Sequence, residues 1–227
     1  ENIIILIFYL YLKKMQIMDN ILIIAAHPDD DIIGCGGFLS KYRDKYNFRV
    51  IFIAEGSSCR FSEEDINSKL VINAIKKRNS NGVNALFKLG IKSYKFYNLP
   101  CGRLDQVPLI NINKIIENEI SSFKPKTIFT HSNKDANNDH LIIHKSTLIA
   151  TRPGSKFFVN NIFSYEILSS SEWKFTDVFK PNMFEKLSLN DVNNKWDALK
   201  EYNTEIKKFP YPRSYEGIKI LANYRGM

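Results

Sequence analysis

Residues 20–37 read Asn-Ile-Leu-Ile-Ile-Ala-Ala-His-Pro-Asp-Asp-Asp-Ile-Ile-Gly-Cys-Gly-Gly. The apolar run through Ala26 has the character of a strand buried on both faces of a parallel sheet. His27 stands where that strand ends. Pro28 lacks a backbone donor and has a fixed φ, so it stops the strand and stiffens the turn carrying the next carboxylates. Gly34, Gly36 and Gly37 then allow close backbone approach as a helix begins, expected over residues 34–46. In open α/β sheets ligands gather at the carboxyl ends of strands. His27 and Asp30, three residues apart across the stiff turn, can therefore reach one ion together, while Asp29 is expected to point elsewhere and stay free for proton transfer. The competing reading makes the aspartates helix caps and the histidine a packing residue. Three consecutive carboxylates at a buried strand end repel one another, and a cation relieves that cost.

Working outward, the other histidines fall in one further locus. His131-Ser132-Asn133-Lys134-Asp135-Ala136-Asn137-Asn138-Asp139-His140 is followed by His144, so all four histidines of the 227-residue chain lie in two short segments. A strand is expected over residues 126–130, a polar loop over 131–139, and a helix from His140 to about Ala150 with Asp139 as its N-cap. A histidine in a first helical turn feels the positive end of the macrodipole, which disfavours the imidazolium and leaves a nitrogen available to a metal. His140 is thus the third candidate ligand beside His27 and Asp30. His144, four residues on along the same helix face, is either a packing residue or one at the rim of the site. Two imidazoles and a carboxylate make a mixed donor set suited to one Zn2+ per chain. Fe2+ or Mn2+ fits the same donors.

The rest of the chain alternates. Strands are expected over 20–26, 48–54, 93–98 and 126–130, helices over 34–46, 63–88, 108–122 and 140–151, then strands near 160–169 and helices near 191–207 and 213–224. Such alternation predicts an α/β, Rossmann-like, mostly parallel sheet flanked by helices, with the metal site at the carboxyl ends of the strands. With 227 residues and 44% hydrophobic content, residues 15–227 suit a single domain with one sizeable core. Ile3 to Leu12 is apolar but too short to cross the ~30 Å core of a bilayer. Residues 1–14 are therefore set outside the domain as an upstream segment or the remnant of an anchor, and the stop at Met227 is compatible with a truncated C-terminus.

Other function classes fit less well. Gly34-Cys35-Gly36-Gly37 fails the dinucleotide-binding spacing because Leu39 stands where its third glycine would be. The formal charge of +8 is spread without a basic block or interleaved aromatics, which argues against nucleic acid and leaves room for a phosphorylated or nucleotide-linked small molecule. Cys35, Cys59 and Cys101 have no Cys-x-x-Cys spacing and suit a reducing, cytoplasmic setting. Cys35 and Cys59, near strand ends at the presumed site, are either small packing residues or open to oxidation and adventitious metal. Association of identical copies stays open.

The Ala-His-Pro-Asp-Asp-Asp turn after an apolar strand, followed about a hundred residues later by Asp-x-Asn-x-Asp-His, resembles the PIG-L/LmbE-like zinc-dependent N-deacetylases. That family includes the N-acetylglucosaminyl-phosphatidylinositol deacetylases and the deacetylases of mycothiol and bacillithiol synthesis. The likeness spans about residues 18–227, including Arg78 to Gly90, Leu99 to Asp105, Tyr165-Glu166 with Ser169 to Trp173, and the closing Tyr202 to Gly226 region with Pro212-Arg213-Ser214, the last resembling bacterial members acting on surface-carbohydrate precursors. It implies that His27, Asp30 and His140 hold zinc, that Asp29 is the general base, and that the substrate is an N-acetylated amino sugar or its conjugate. One position departs from relatives with His-Pro-Asp-His in the second motif. Asn137 stands where their first histidine helps the tetrahedral intermediate; it can donate a hydrogen bond but not a proton. Leaving-group protonation then falls to Asp29 or His131. Arg60 resembles an arginine facing substrate in relatives and reads equally as a solvated loop cation. Arg103, Asp105 and Arg213 read first as partners in surface ion pairs and second as substrate contacts. The alternatives to an N-acetyl-sugar deacetylase are a zinc amidase of a non-sugar amide or thiol conjugate, and an inactive sugar-binding protein on the same fold.

Overall fold

In β1, Asn20–Ala25, alternate side chains go to opposite faces and both are covered. Ile21, Ile23 and Ala25 join one core cluster, while Leu22 and Ile24, with Ala26 beyond the strand, join a second. This is the central strand of a computed structural model that describes residues 18–226; the expectations for residues 1–14 and for the end at Met227 lie outside the described residues. Beside β1 run β2 (Asn47–Ala54), β3 (Ser93–Leu99), β4 (Thr127–His131) and β5 (Asn161–Tyr165) in the order β3-β2-β1-β4-β5. Every neighbouring pair is parallel.

Helices cover both faces. α1 (Asp30–Tyr42), α2 (Lys69–Lys88), α5 (Leu189–Leu199) and α6 (Tyr215–Arg225) close over Ile21 and Ile23. α3 (Leu109–Phe123) and α4 (Asn138–Ala150) close over Leu22 and Ile24. Each fully buried Ile or Leu contributes ~1.5–3 kcal/mol, so the continuous apolar run is the main energetic anchor of the sheet. Because β1 crosses over to β2 on one side while β4 crosses to β5 on the other, the carboxyl ends of β1 and β4 flank the point where the strand order reverses. His27 follows one of these ends and His131 forms the other.

The expected boundaries need four corrections. α1 begins at Asp30, not at residue 34, so the glycines lie inside the helix. Their value is closeness of packing: a β-carbon on Gly34 would sit 2.3 Å from Cδ2 of Tyr165. The charged stretch 63–68 makes only a 3-10 turn at Glu63–Asp65, and α2 starts after Ser68, whose side chain accepts from the Val71 N–H. α4 starts at Asn138 with Asn137 as its cap, so Asp139 stands inside the first turn and does not cap it. α5 stops at Leu199, short of the expected 207, after a Ser188/Asp191 capping box sets its start. Among the described residues no helix is long and apolar enough to cross a membrane.

Candidate active site

His27, Asp30 and His140 meet at the reversal point, with one ligand atom from each lying within 4.8 Å of the others. Asp30 Oδ2 is the hub, 3.3 Å from His27 Nδ1 and 3.3 Å from His140 Nε2. The same oxygen accepts the His27 backbone N–H at 2.8 Å, which folds the turn over Pro28 onto itself. The outer nitrogens of both imidazoles also face carboxylates: His27 Nε2 bonds Asp139 Oδ2 at 2.9 Å, and His140 Nδ1 faces Asp135 Oδ1 at 3.1 Å. Histidine with one nitrogen inward and a carboxylate fixing the other is the arrangement of metal sites. Asp139 is itself fixed by the N–H groups of Gly102 (2.6 Å) and Leu104 (3.2 Å). Asp135 is fixed by the hydroxyls of Ser170 and Ser171 and the Asn137 N–H.

These residues fit a cation. His140 is buried, and its Nε2 has no hydrogen-bond partner. Burial opposes charge on both imidazoles, but Asp139 and Asp30 outweigh it at His27, raising it to about 10, and Asp30 and Asp135 do so at His140, raising it to about 9. Burial would likewise push Asp30 up, yet His140 and His131 hold it well below the usual carboxylate range. Positive charge among these carboxylates is thus favoured, and a divalent ion bound there would supply it in place of the imidazole protons. Without an ion, the nearer carboxylates outweigh the helix macrodipole at His140.

Asp29, next to the hub, does not cap α1: it makes no side-chain cap bond, and its φ of 133° lies in the left-handed region that a β-carbon disfavours. Such a conformation costs ~1–3 kcal/mol and persists where surrounding contacts enforce it. Here they are two guanidiniums, Arg78 Nη2 and Arg213 Nη1, each 2.9 Å from Asp29 Oδ2. The expectation of a free carboxylate is therefore corrected to a clamped one. Burial pushes its carboxyl upward, and the two arginines oppose the shift without cancelling it. Arg78 also bonds Glu205 Oε1 at 2.6 Å, and Glu205 meets Arg60 Nη1 at 2.8 Å. Burial would raise Glu205, but Arg78 and Arg60 bring it down to about 2.

His27, Asp29, Asp30, Arg60, Asn137 and His140 open on one cavity of about 220 Å³. Asn137 Oδ1 accepts the Asp139 N–H at 2.9 Å as the α4 cap. That bond fixes the amide's orientation, so its Nδ2 is the free donor end. His131 does not line the cavity: it is fully buried behind it, its Nε2 accepting the Ala26 N–H at 2.8 Å, its ring stacked on His140 at 3.9 Å. Burial first and the neighbouring His140 second depress its imidazole well below the ordinary value. A proton-donating role for His131 does not fit this placement. His144 bonds the His131 carbonyl through Nδ1 at 2.9 Å, tying α4 to β4 away from the cavity. Arg103 and Asp105 also lie outside the cavity lining. Arg213, read first as a surface ion-pair partner, is instead largely buried against Asp29. Arg78, although it opens a family-like stretch, and Glu205, a lone acid in a late loop, are given no role by the sequence; only the fold ties them to Asp29.

A protein-family model described as GlcNAc-PI de-N-acetylase (PIG-L) matches residues 22–151. The uncharacterized deacetylase YaiS of Escherichia coli K12 is 27% identical over 191 residues, covering 82% of this chain and 91% of its own. Among solved structures, N,N'-diacetylchitobiose deacetylase of Pyrococcus horikoshii superposes with a TM-score of 0.71 at 16% identity, over 92% of this chain and 78% of that one. GalB, the 4-carboxy-2-hydroxymuconate hydratase of Pseudomonas putida KT2440, superposes with a TM-score of 0.68 at 18% identity, over 92% and 86%. At such identities the likeness establishes the α/β fold, and the hydratase illustrates that the fold alone does not fix the reaction.

Proposed function

This chain belongs to the GlcNAc-PI de-N-acetylase (PIG-L) family, and from that membership we propose that it is a zinc-dependent hydrolase removing the N-acetyl group from an amino sugar or its conjugate, giving acetate and a free amine. The observation that carries this reading is the convergence of His27, Asp30 and His140 beside a strained, arginine-clamped Asp29 in one cavity. His27, Asp30 and His140 would hold the ion, with Asp139 and Asp135 orienting the two imidazoles. Zinc bound there supplies Lewis acidity toward the acetyl carbonyl and lowers the pKa of water toward ~7.

The chain's own groups do the rest. Both guanidinium bonds fall on Asp29 Oδ2, so Oδ1 is the oxygen that takes the proton of the attacking water. Burial, by raising the carboxyl, suits it to hold that proton and return it to the departing nitrogen. An amine leaves poorly as an anion, and this return is what lets the carbon–nitrogen bond break. Asn137 Nδ2 donates to the oxyanion as it forms. Arg60, at the mouth and half exposed, is the group in this reading that meets an anionic or hydroxyl-bearing part of the substrate. A cavity of about 220 Å³ is small beside the ~300–1,000 Å³ of whole-ligand pockets, so it suits the N-acetyl end of a sugar with any aglycone left outside. Residues 15–227 are read as the unit that does this.

The test is free-amine release from N-acetylglucosamine presented free, phosphorylated, nucleotide-linked and lipid-linked, with zinc-loaded and chelated protein in parallel. Zinc-dependent release from one form is expected. Release only from a non-sugar N-acetyl amide, or none despite one bound metal per chain, overturns the reading.

A further inference from the structure

Two thiols on the wall of the same cavity are not used by the proposed chemistry. Cys59 follows β2 and Cys101 follows β3, neighbouring strands of the sheet, and their sulfurs lie 3.2 Å apart. The contact is built by the backbone. The buried Glu55 carboxylate accepts the N–H of Ser57 at 2.6 Å, of Ser58 at 3.0 Å and of Cys101 at 2.9 Å, so one side chain fastens both loops beside the cysteines. Gly102, with φ +71°, leaves Cys59 room: a β-carbon there would stand 3.0 Å from Cys59 Cβ. The two sulfurs differ in access, Cys59 being exposed and Cys101 buried. An accessible thiol with a second thiol poised against it is the arrangement of a peroxide-sensitive cysteine and its resolving partner.

We propose that Cys59 and Cys101 form an oxidisable pair, which hydrogen peroxide closes into a disulfide across the cavity wall. The Cys59 thiolate attacks one peroxide oxygen, the O–O bond breaks, and the departing hydroxide takes up a proton as water, leaving a sulfenic acid on Cys59. The Cys101 sulfur then attacks the Cys59 sulfur and expels the sulfenic oxygen, which leaves as a second water with the Cys101 proton. The two thiols give up two electrons and the peroxide takes them. The hydrogen bond from Cys101 first, with Arg60 beside it, brings the Cys59 thiol down to about 6 against the pull of burial, which favours the attacking thiolate. Bond formation shortens the sulfur separation by about 1 Å. That movement reaches the metal-ligand set. Gly102, next to Cys101, donates the 2.6 Å bond that fixes Asp139 Oδ2, and the same oxygen meets His27 Nε2 at 2.9 Å. Oxidation is therefore expected to weaken the hold on a zinc ion by ~10–100-fold, the usual cost of disturbing the partner of a metal-binding histidine. This effect rests on the proposed metal site; the disulfide does not.

Peptide mapping is the test. Protein treated with a small excess of hydrogen peroxide, blocked with iodoacetamide and cut with trypsin is expected to yield residues 50–60 and 96–103 as one joined peptide. It should be lighter than the two separate peptides by the two thiol hydrogens and come apart in dithiothreitol. Cys59→Ser, a conservative change at an exposed position, should give no joined peptide, while Cys101→Ser should stop at the sulfenic acid, trapped on Cys59 by dimedone. Both cysteines recovered alkylated, Cys59 carried on to sulfinic acid with Cys101 alkylated, or a disulfide between two chains overturns the pair, whether or not any substrate is turned over. Zinc affinity, read by competition with a chromophoric chelator, should fall ~10–100-fold in oxidised wild type and stay unchanged in peroxide-treated Cys59→Ser. Equal affinity of oxidised and reduced wild type overturns the effect on the site, and zinc binding by neither overturns the metal site itself.

Discussion

Asp29 combines an unfavourable backbone with burial and two cationic partners, a cost that a helix cap would not demand. Asp29→Asn keeps the shape and removes the basic oxygen. It is expected to retain one zinc per chain while kcat falls ~10²–10⁴-fold, whereas His140→Ala loses the metal itself; metal content after dialysis, read beside turnover, separates the two. Full turnover by Asp29→Asn would place the base elsewhere. Asn137 caps α4 through Oδ1 and lines the cavity, and in the proposed reaction its Nδ2 donates to the oxyanion. Asn137→Asp keeps an acceptor for the cap and removes the donor, so its melting temperature should stay close to wild type while kcat drops ~10²-fold or more. A fall in stability with unchanged kcat would reduce Asn137 to a cap.

At the scale of elements, the site is closed by chain segments far apart in sequence. Arg78 on α2, Glu205 after α5 and Arg213 before α6 lock together around Asp29. Glu205 titrates at about 2 in the folded chain against an ordinary 4.5. Since the folded value is depressed, its stabilisation is complete above ~4.5 and is lost as pH falls toward about 2. Glu205→Gln should flatten the stability profile in that window, measured by denaturant unfolding across pH. At neutral pH it should cost on the order of 2 kcal/mol, less than the ~3–5 kcal/mol of a fully broken buried pair because Arg78 keeps Asp29. An unchanged slope would mean that this bridge does not hold the C-terminal segment to α2.

Across the whole molecule, the candidate metal ligands come from the two halves of the sheet, His27 and Asp30 after β1 and His140 after β4. A bound ion therefore staples both halves, and chelation should lower the melting temperature, with zinc at ~1,000 times its Kd returning about 4 kcal/mol; no shift would place the ion outside this junction. The alternation of strands and helices, the central place of residues 20–26 and the two motif loops were readable directly, because a strand buried on both faces and a histidine beside a proline turn are local patterns. Helix starts were less legible, as at Asp30, where the glycines that seemed to open α1 serve its close contacts, Gly34 with Tyr165, Gly36 with Lys195 and Gly37 with Leu187. The sequence alone could bring His27 and Asp30 together, since three residues across one turn determine their separation. Only the tertiary structure decided that His131 sits behind the site, that Asp139 braces His27, and that Arg78 and Arg213, bridged by Glu205, clamp Asp29. The contacts of Asp29 and His27 join residues between 49 and 184 positions apart, and at such separations the partner of a charge is chosen by the packing of helices on the sheet, which no local pattern encodes.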